Sequence, residues 1–253
     1  MPKSTHCSDC LEQSLNDISN DAPVVPFGPD VSRPAILLHS CCGPCSAAVV
    51  ERLAPRFRVA LYFCNSNIDD EAEYLRRLEA QKQFVESYNA SGMGGQVELV
   101  CAPYAPMAFL KLVEGTEGCA EGGARCRRCI YDRLEKTAEY AALHGFEYFS
   151  TTLSVSRHKS YGMVLEAGKA LALRYGLTFE DGDYKKFGGE QRSAELARAY
   201  GLYRQDYCGC RFSKVAAPQG ADPQGNGLVA EGPRNDGGTQ EGAGLPGGDG
   251  GGG

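Results

Sequence analysis

Between residues 33 and 214, short apolar runs alternate with longer segments whose apolar positions recur every three or four residues. AILLHS (35–40), FRVALYFC (57–64), the segment 96–101 and FEYFSTT (146–152) are short, apolar and rich in branched or aromatic residues, the pattern of buried strands. Between them, EAEYLRRLEAQKQFVESYNA (71–90) sets Tyr74, Leu78, Gln81, Val85 and Tyr88 on one helical face. A helix is also expected after Pro44, which suits a first helical turn, and another over about Met107 to Val113. RCRRCIYDRLEKTAEYAALHG (125–145) predicts a helix with a glycine stop, and KSYGMVLEAGKALALRYG (159–176) predicts a further one. Strands alternating with helices imply an α/β fold, a parallel sheet covered on both faces. Ligands of such sheets bind beyond the C-terminal ends of the strands, where CCGPC (41–45), Asn65–Asp70 and Thr151–Lys159 fall.

The flanks have another character. Residues 216–253 hold 14 glycines and almost no large apolar side chain, so they cannot bury enough surface to offset their ordering entropy. Three regions follow: a flexible acidic segment (1–32), an α/β catalytic domain (33–214) and a disordered glycine-rich tail (215–253). Net charge is −6, but each flank carries −4, which leaves the central region at +2 and open to an anionic partner. No apolar run is long enough for a membrane span, and the first residues lack an apolar signal segment. The expected location is cytoplasmic.

Composition changes the picture through cysteine. Twelve cysteines in an intracellular chain favour metal or redox chemistry over a disulfide framework. Seven form three groups: Cys41-Cys42-x-x-Cys45, Cys126-x-x-Cys129 and Cys208-Gly209-Cys210. A CxxC at a helix start brings two thiolates to one centre, and glycine lets the last pair bend together. Seven thiols exceed one tetrahedral site, which favours an iron–sulfur cluster with a second metal beside it; a closed zinc site is the rival. Cys64 and Cys101 read as core, Cys119 as an unpaired loop residue, and Cys7-x-x-Cys10 beside His6 as accessory. His39 reads as a core residue or one supporting the site, and His144 as helix surface. In SVSRHKS (154–160), Arg157, His158 and Lys159 read equally as solvated loop or as phosphate contact. The same two readings apply to Arg125, Arg127, Arg128, Lys185, Lys186 and Arg192.

LLHSCCGPCSAAVVERL, NSNIDDEAEYLRRL, RCRRCIYDRLEKTA, FEYFSTTLSVSRHKS and FGGEQRSAELARAYGLYRQDYCGCRFS, in this order over about residues 34–213, together resemble the cobalamin-independent epoxyqueuosine reductases of the QueH type. The resemblance implies a Rossmann-like, HUP-type sheet related to PP-loop ATPases, with CCGPC where those relatives hold a nucleotide phosphate. No P-loop lysine is present, and ATP use is not expected. It implies reduction of epoxyqueuosine to queuosine at the wobble position of tRNA with a GUN anticodon, the epoxide becoming a cyclopentene with release of water. It further implies a 4Fe-4S cluster and an adjacent mononuclear iron, with a ligand pool of Cys41, Cys42, Cys126, Cys129, Cys208 and Cys210. Some family members carry Asp where this chain has Cys45, so a thiolate would replace a carboxylate at the second metal.

Cys126 and Cys129 are assigned to the cluster with one of Cys41/Cys42 and one of Cys208/Cys210; the remaining pair and Cys45 are assigned to the lone iron. His158 and Tyr161 are candidate proton sources, and Tyr104, Tyr203 and Tyr207 are candidates to stack on the extruded nucleotide or to pack in the core. Electrons would come from a small protein such as ferredoxin or flavodoxin. Two alternatives stand beside this reading: a zinc-stabilised tRNA-binding module, and a sulfur-transferase or ATP-dependent tRNA enzyme on the same fold.

Overall fold

The structure, a computed structural model, describes residues 32–92 and 94–214. Its centre is a five-stranded, all-parallel sheet in the order β3-β2-β1-β4-β5. The strands are β1 (Ala35–Ser40), β2 (Arg58–Phe63), β3 (Glu98–Cys101), β4 (Tyr148–Thr151) and β5 (Thr178–Phe179). The helices are α1 (Gly43–Leu53), α2 (Glu71–Ser91), α3 (Pro106–Leu112), α4 (Ala124–Leu143), α5 (Tyr161–Tyr175) and α6 (Gly189–Ala199). The expected alternation and the α/β class are as read from the pattern. β5 and α6 come in addition to the elements expected from periodicity. Cys7, Cys10, the acidic flank up to Val31 and the glycine-rich flank lie outside the described residues.

Strand alternation divides the core. Ile36 and Leu38 of β1, with Val59 and Leu61 of β2, face α1, Phe84 and Tyr88 of α2, and Leu196 and Ala197 of α6. Leu37 and Ala60 point the other way, onto Ile130, Leu134, Ala138 and Ala141 of α4 and Val164, Ala167 and Leu171 of α5. Helix ends follow local chemistry: the Asp70 carboxylate caps α2 by accepting from the Glu73 N–H, and Gly92 closes it at φ 65°. Ser160 caps α5 on the Met163 N–H, and Gly176 ends it at φ 68°. No helix among the described residues is long and apolar enough to cross a membrane.

Two features hold the C-terminal edge of the sheet in place. The buried side chain of Asn65 donates to the Ser40 carbonyl (2.9 Å), joining the loops after β1 and β2. Under the first cysteine turn, Gln81 Oε1 accepts from Ser46 (2.9 Å) and from Ser40, all three residues fully buried. Gln81, expected on the apolar face of α2, is thus a polar post for the turn. α1 meets α2 closely because position 43 is glycine: a Cβ there would stand 2.6 Å from the Ala80 carbonyl oxygen.

Candidate metal centre

β1 ends at Ser40, and the chain turns through Cys41 and Cys42 into the proline-led first turn of α1, which carries Cys45. The turn gathers rather than divides the thiols. The sulfurs of Cys41, Cys42 and Cys45 lie within 4.8 Å of one another, and those of Cys41 and Cys42 are 3.7 Å apart. All ten described cysteines are free, so none of these groups is a disulfide.

Cys126 and Cys129 lie on the first turns of α4, after a glycine-rich loop. That loop is organised by Arg125, a buried guanidinium that donates to the Glu117 carbonyl (2.8 Å) and the Cys119 carbonyl (2.5 Å) and stacks over Phe212. Its main-chain N–H at Gly122 then donates to Cys126 Sγ (3.2 Å). Arg125 is therefore a loop organiser; of its two sequence readings neither applies.

The Cys208-Gly209-Cys210 turn is held by α2. Arg77 donates to the carbonyls of Tyr207 and Cys208, both at 3.1 Å, and to Glu73 Oε1 at 2.7 Å. Both charges of that ion pair are nearly inaccessible. Glu73 also accepts from the Tyr203 hydroxyl (2.9 Å), and Asp69 accepts from the Arg211 main-chain N–H (2.9 Å). Gly209 has φ 113°, outside what L side chains adopt, and a Cβ there would meet Ile68 at 2.9 Å.

Two cations, the buried Arg133 and the largely covered Lys159, connect the three groups. Arg133, one α4 turn beyond Cys129, is buried and interacts electrostatically with Cys129, Cys41 and Cys208. Burial opposes its charge, yet the neighbouring thiols raise its pKa further. Lys159 donates to Cys208 Sγ (2.9 Å), pairs with Glu121 (3.3 Å) and also feels Cys126. Burial alone would lower the Lys159 pKa; the Cys208 charge outweighs it and raises the pKa. On the sulfur side, hydrogen bonds from Cys42 and Cys45 hold the Cys41 thiol well below its usual pKa, against its burial. A hydrogen bond from Cys210, with the nearby Lys159 charge, does the same for Cys208 against its burial. Burial pushes Cys129 up to about 11. Cys129 and Cys210 pack in one small apolar cluster with Phe109 and Val113. Cys210 feels both Cys208 and Cys129, so the second and third groups adjoin.

The remaining sulfur contacts come from polar neighbours. Thr152 Oγ1 accepts from the Cys41 N–H (3.1 Å) and donates to Cys41 Sγ (3.3 Å). Gln205 Nε2 donates to Cys42 Sγ (2.9 Å). The buried side-chain oxygens of Gln205 and Asn67 have no hydrogen-bond partner, so polar valence is left over beside the cysteines. His39 is fully buried behind the first turn, with Nδ1 2.9 Å from Thr151 Oγ1 and Nε2 accepting from Arg133 Nε (3.2 Å). Burial, then the Arg133 charge, push its pKa down to about 3, so it is neutral support for the site.

His158 is exposed and accepts from Arg157 Nε at 3.4 Å. The Tyr161 hydroxyl donates to Asp181, which raises the phenol to about 12. Tyr203 is tied to Glu73, Tyr104 packs on Tyr74 at 4.2 Å between centroids, and Tyr207 lies between Arg77 and Lys214. Arg127, Lys186 and Arg192 pair with Glu166, Asp183 and Glu51, and Arg128 donates to the carbonyls of Leu112 and Glu114. Cys64 is buried in the core, as expected, and Cys101 packs against it part-exposed. Lys159 stood in the sequence as one of three basic loop residues; its aim at a cysteine is a tertiary fact. Thr152, Gln205, Arg77 and Arg133 carry no motif of their own, and only their place within the resembling stretches could have marked them.

A family model described as "Epoxyqueuosine reductase QueH" matches residues 36–216. Relatives carrying the same description include one from Staphylococcus aureus, 42% identical over 75% of this chain and 79% of the relative. Another, from Streptococcus pyogenes, is 40% identical over 75% of this chain and 73% of its own length. A third, from Thermotoga maritima, is 34% identical over 70% of this chain and 89% of the relative. The match spans all three cysteine groups, Arg133 and Lys159, and the chain belongs to the epoxyqueuosine reductase QueH family of oxidoreductases.

Proposed function

We propose that this chain reduces epoxyqueuosine in tRNA to queuosine at an iron–sulfur centre held by its three cysteine groups, with a second iron beside it. The observation that carries the reading is the convergence of those groups around Arg133 and Lys159 in a member of this family. The donor set suits such a centre. Seven free thiols are present, Arg133 and Lys159 offset thiolate charge, and N–H and O–H groups are aimed at sulfur.

Cys126 and Cys129, with one of Cys41/Cys42 and one of Cys208/Cys210, are assigned to the cluster. The other two and Cys45 are assigned to the lone iron, where Cys45 would make the site softer than a carboxylate would. Such a group, when bound, supplies electrons singly together with a Lewis acid for the epoxide oxygen. The overall change balances: the epoxide takes two electrons and two protons, both C–O bonds break, a C=C bond forms, and the oxygen leaves as water.

The protein's own part is to hold, shield and deliver. Arg77 of α2 holds the third cysteine pair, whose turn Gly209 permits, and Gln81 fixes the first turn from below. His158, exposed and next in sequence to Lys159, and Tyr161 are the two assigned proton sources. The Tyr161 hydroxyl is engaged with Asp181. The nucleotide enters at the C-terminal edge of the sheet from a tRNA with a GUN anticodon, and a ferredoxin or flavodoxin supplies the electrons.

Anaerobic iron and sulfide analysis with EPR tests the centre. The expected result is iron and sulfide bound to the chain, with the reduced-state signal lost in Cys129→Ser. Stoichiometric zinc, and no iron after anaerobic reconstitution with iron and sulfide, would overturn the reading in favour of a zinc-stabilised RNA-binding module.

A further inference from the structure

Among the described residues, donors from outside the cysteine groups aimed at their sulfurs include Lys159 Nζ at Cys208, Gln205 Nε2 at Cys42, the Gly122 N–H at Cys126 and Thr152 Oγ1 at Cys41. Lys159 differs from the other three in carrying a full charge. An ammonium on a four-carbon stem ordinarily extends to water; this side chain is only 10% exposed. The loop places it there. The Lys159 N–H donates to the Ser156 carbonyl (3.2 Å), and its own carbonyl accepts from Lys185 Nζ (3.3 Å). Its charge is shared between Cys208 at 2.9 Å and Glu121, 40% exposed, at 3.3 Å.

We propose that Lys159, assisted by Gln205, sets the reduction potential of the metal group bound by the cysteines, and that Glu121 opposes it. The inference rests on the metal-centre reading above and concerns its tuning. A positive charge at a ligand sulfur favours the form holding the extra electron, and an N–H···S bond draws density from the same sulfur; both raise the potential. A carboxylate beside the lysine acts in the opposite sense. Lys159 is thus a positioning residue that acts through Cys208. Arg133 adds positive charge from behind, but it also bonds His39 and Asn65, so its removal would confound tuning with folding.

The test is an anaerobic redox titration of the iron-loaded full chain with dithionite and mediator dyes, followed by absorbance and EPR. Lys159→Met is expected to lower the ratio of reduced to oxidised centre at a fixed potential by about tenfold, equivalent to about 59 mV for a one-electron couple. Lys159→Arg, which keeps the charge, should titrate close to the parent. Gln205→Leu should shift the same way as Lys159→Met by a few-fold, and Glu121→Gln should shift the opposite way. A purely structural lysine would not give opposite signs for Lys159→Met and Glu121→Gln. Identical midpoints for the parent, Lys159→Met and Glu121→Gln, or shifts of the same sign, would overturn the inference. Should Lys159→Met fail to hold iron, a downward shift in Gln205→Leu with an upward one in Glu121→Gln supports it, and no shift in either overturns it. A parent protein with no reducible iron would instead refute the metal-centre reading, before any variant is compared.

Discussion

Gly209 separates the last two cysteines at φ 113°, with Ile68 and the Arg77 guanidinium where a side chain would go. Gly209→Ala adds strain of roughly 1–3 kcal/mol at a left-handed position and pushes the turn off Arg77. The expected outcome is less iron bound per chain together with a lower melting temperature, measured by iron assay and thermal unfolding. Glu73 carries a second residue-scale prediction. Glu73→Gln leaves the buried Arg77 guanidinium without its counter-charge and should cost about 3–5 kcal/mol in urea unfolding. The cysteines and Gly209 were legible in the sequence because thiol spacing is a local signal. Glu73 and Arg77 were not, since an i,i+4 acid–base pair on a helix reads as solvent-facing. Only the arrival of the Cys208 turn buries it.

At the scale of elements, α1 and α2 approach across Gly43, whose absent side chain admits the Ala80 carbonyl. Gly43→Ala should separate the two helices at a cost of about 1–3 kcal/mol, read as a lower urea midpoint with unchanged slope. Because Gly43 lies between Cys42 and Cys45, the same change should weaken metal retention. The long helices were legible because their periodicity runs for many residues, and the four principal strands because their short apolar runs stand out between them; the observed ends fall within one or two residues of the pattern. β5 is two residues long, too short for alternation to register. α6 buries only Gly189, Ser193, Leu196 and Ala197, a thin stripe among Glu, Gln and Arg. Its place is set by tertiary contact: the Ser193 hydroxyl donates to the Pro44 carbonyl (2.9 Å) beside the first cysteine turn.

Across the whole molecule, the strand order β3-β2-β1-β4-β5 places the ends of β1 and β4 side by side at the centre of the sheet. That order brings Thr152, just after β4, to Cys41, and the loop that follows carries Lys159 to Cys208; alternation of elements alone did not specify either contact. A tRNA substrate bound through phosphates predicts affinity that falls steeply with salt, with a linear log–log slope in a filter-binding series. Single-turnover chemistry tests whether the cysteine centre reduces a tRNA nucleotide. Iron-loaded protein, reduced by dithionite without oxygen, is mixed with tRNA bearing epoxyqueuosine, and the digested nucleosides are resolved by mass spectrometry. The expected product is stoichiometric queuosine, lacking one oxygen relative to the starting nucleoside, with none from Cys129→Ser. Unchanged epoxyqueuosine in the presence of iron-loaded, fully reduced protein that binds the tRNA would contradict it.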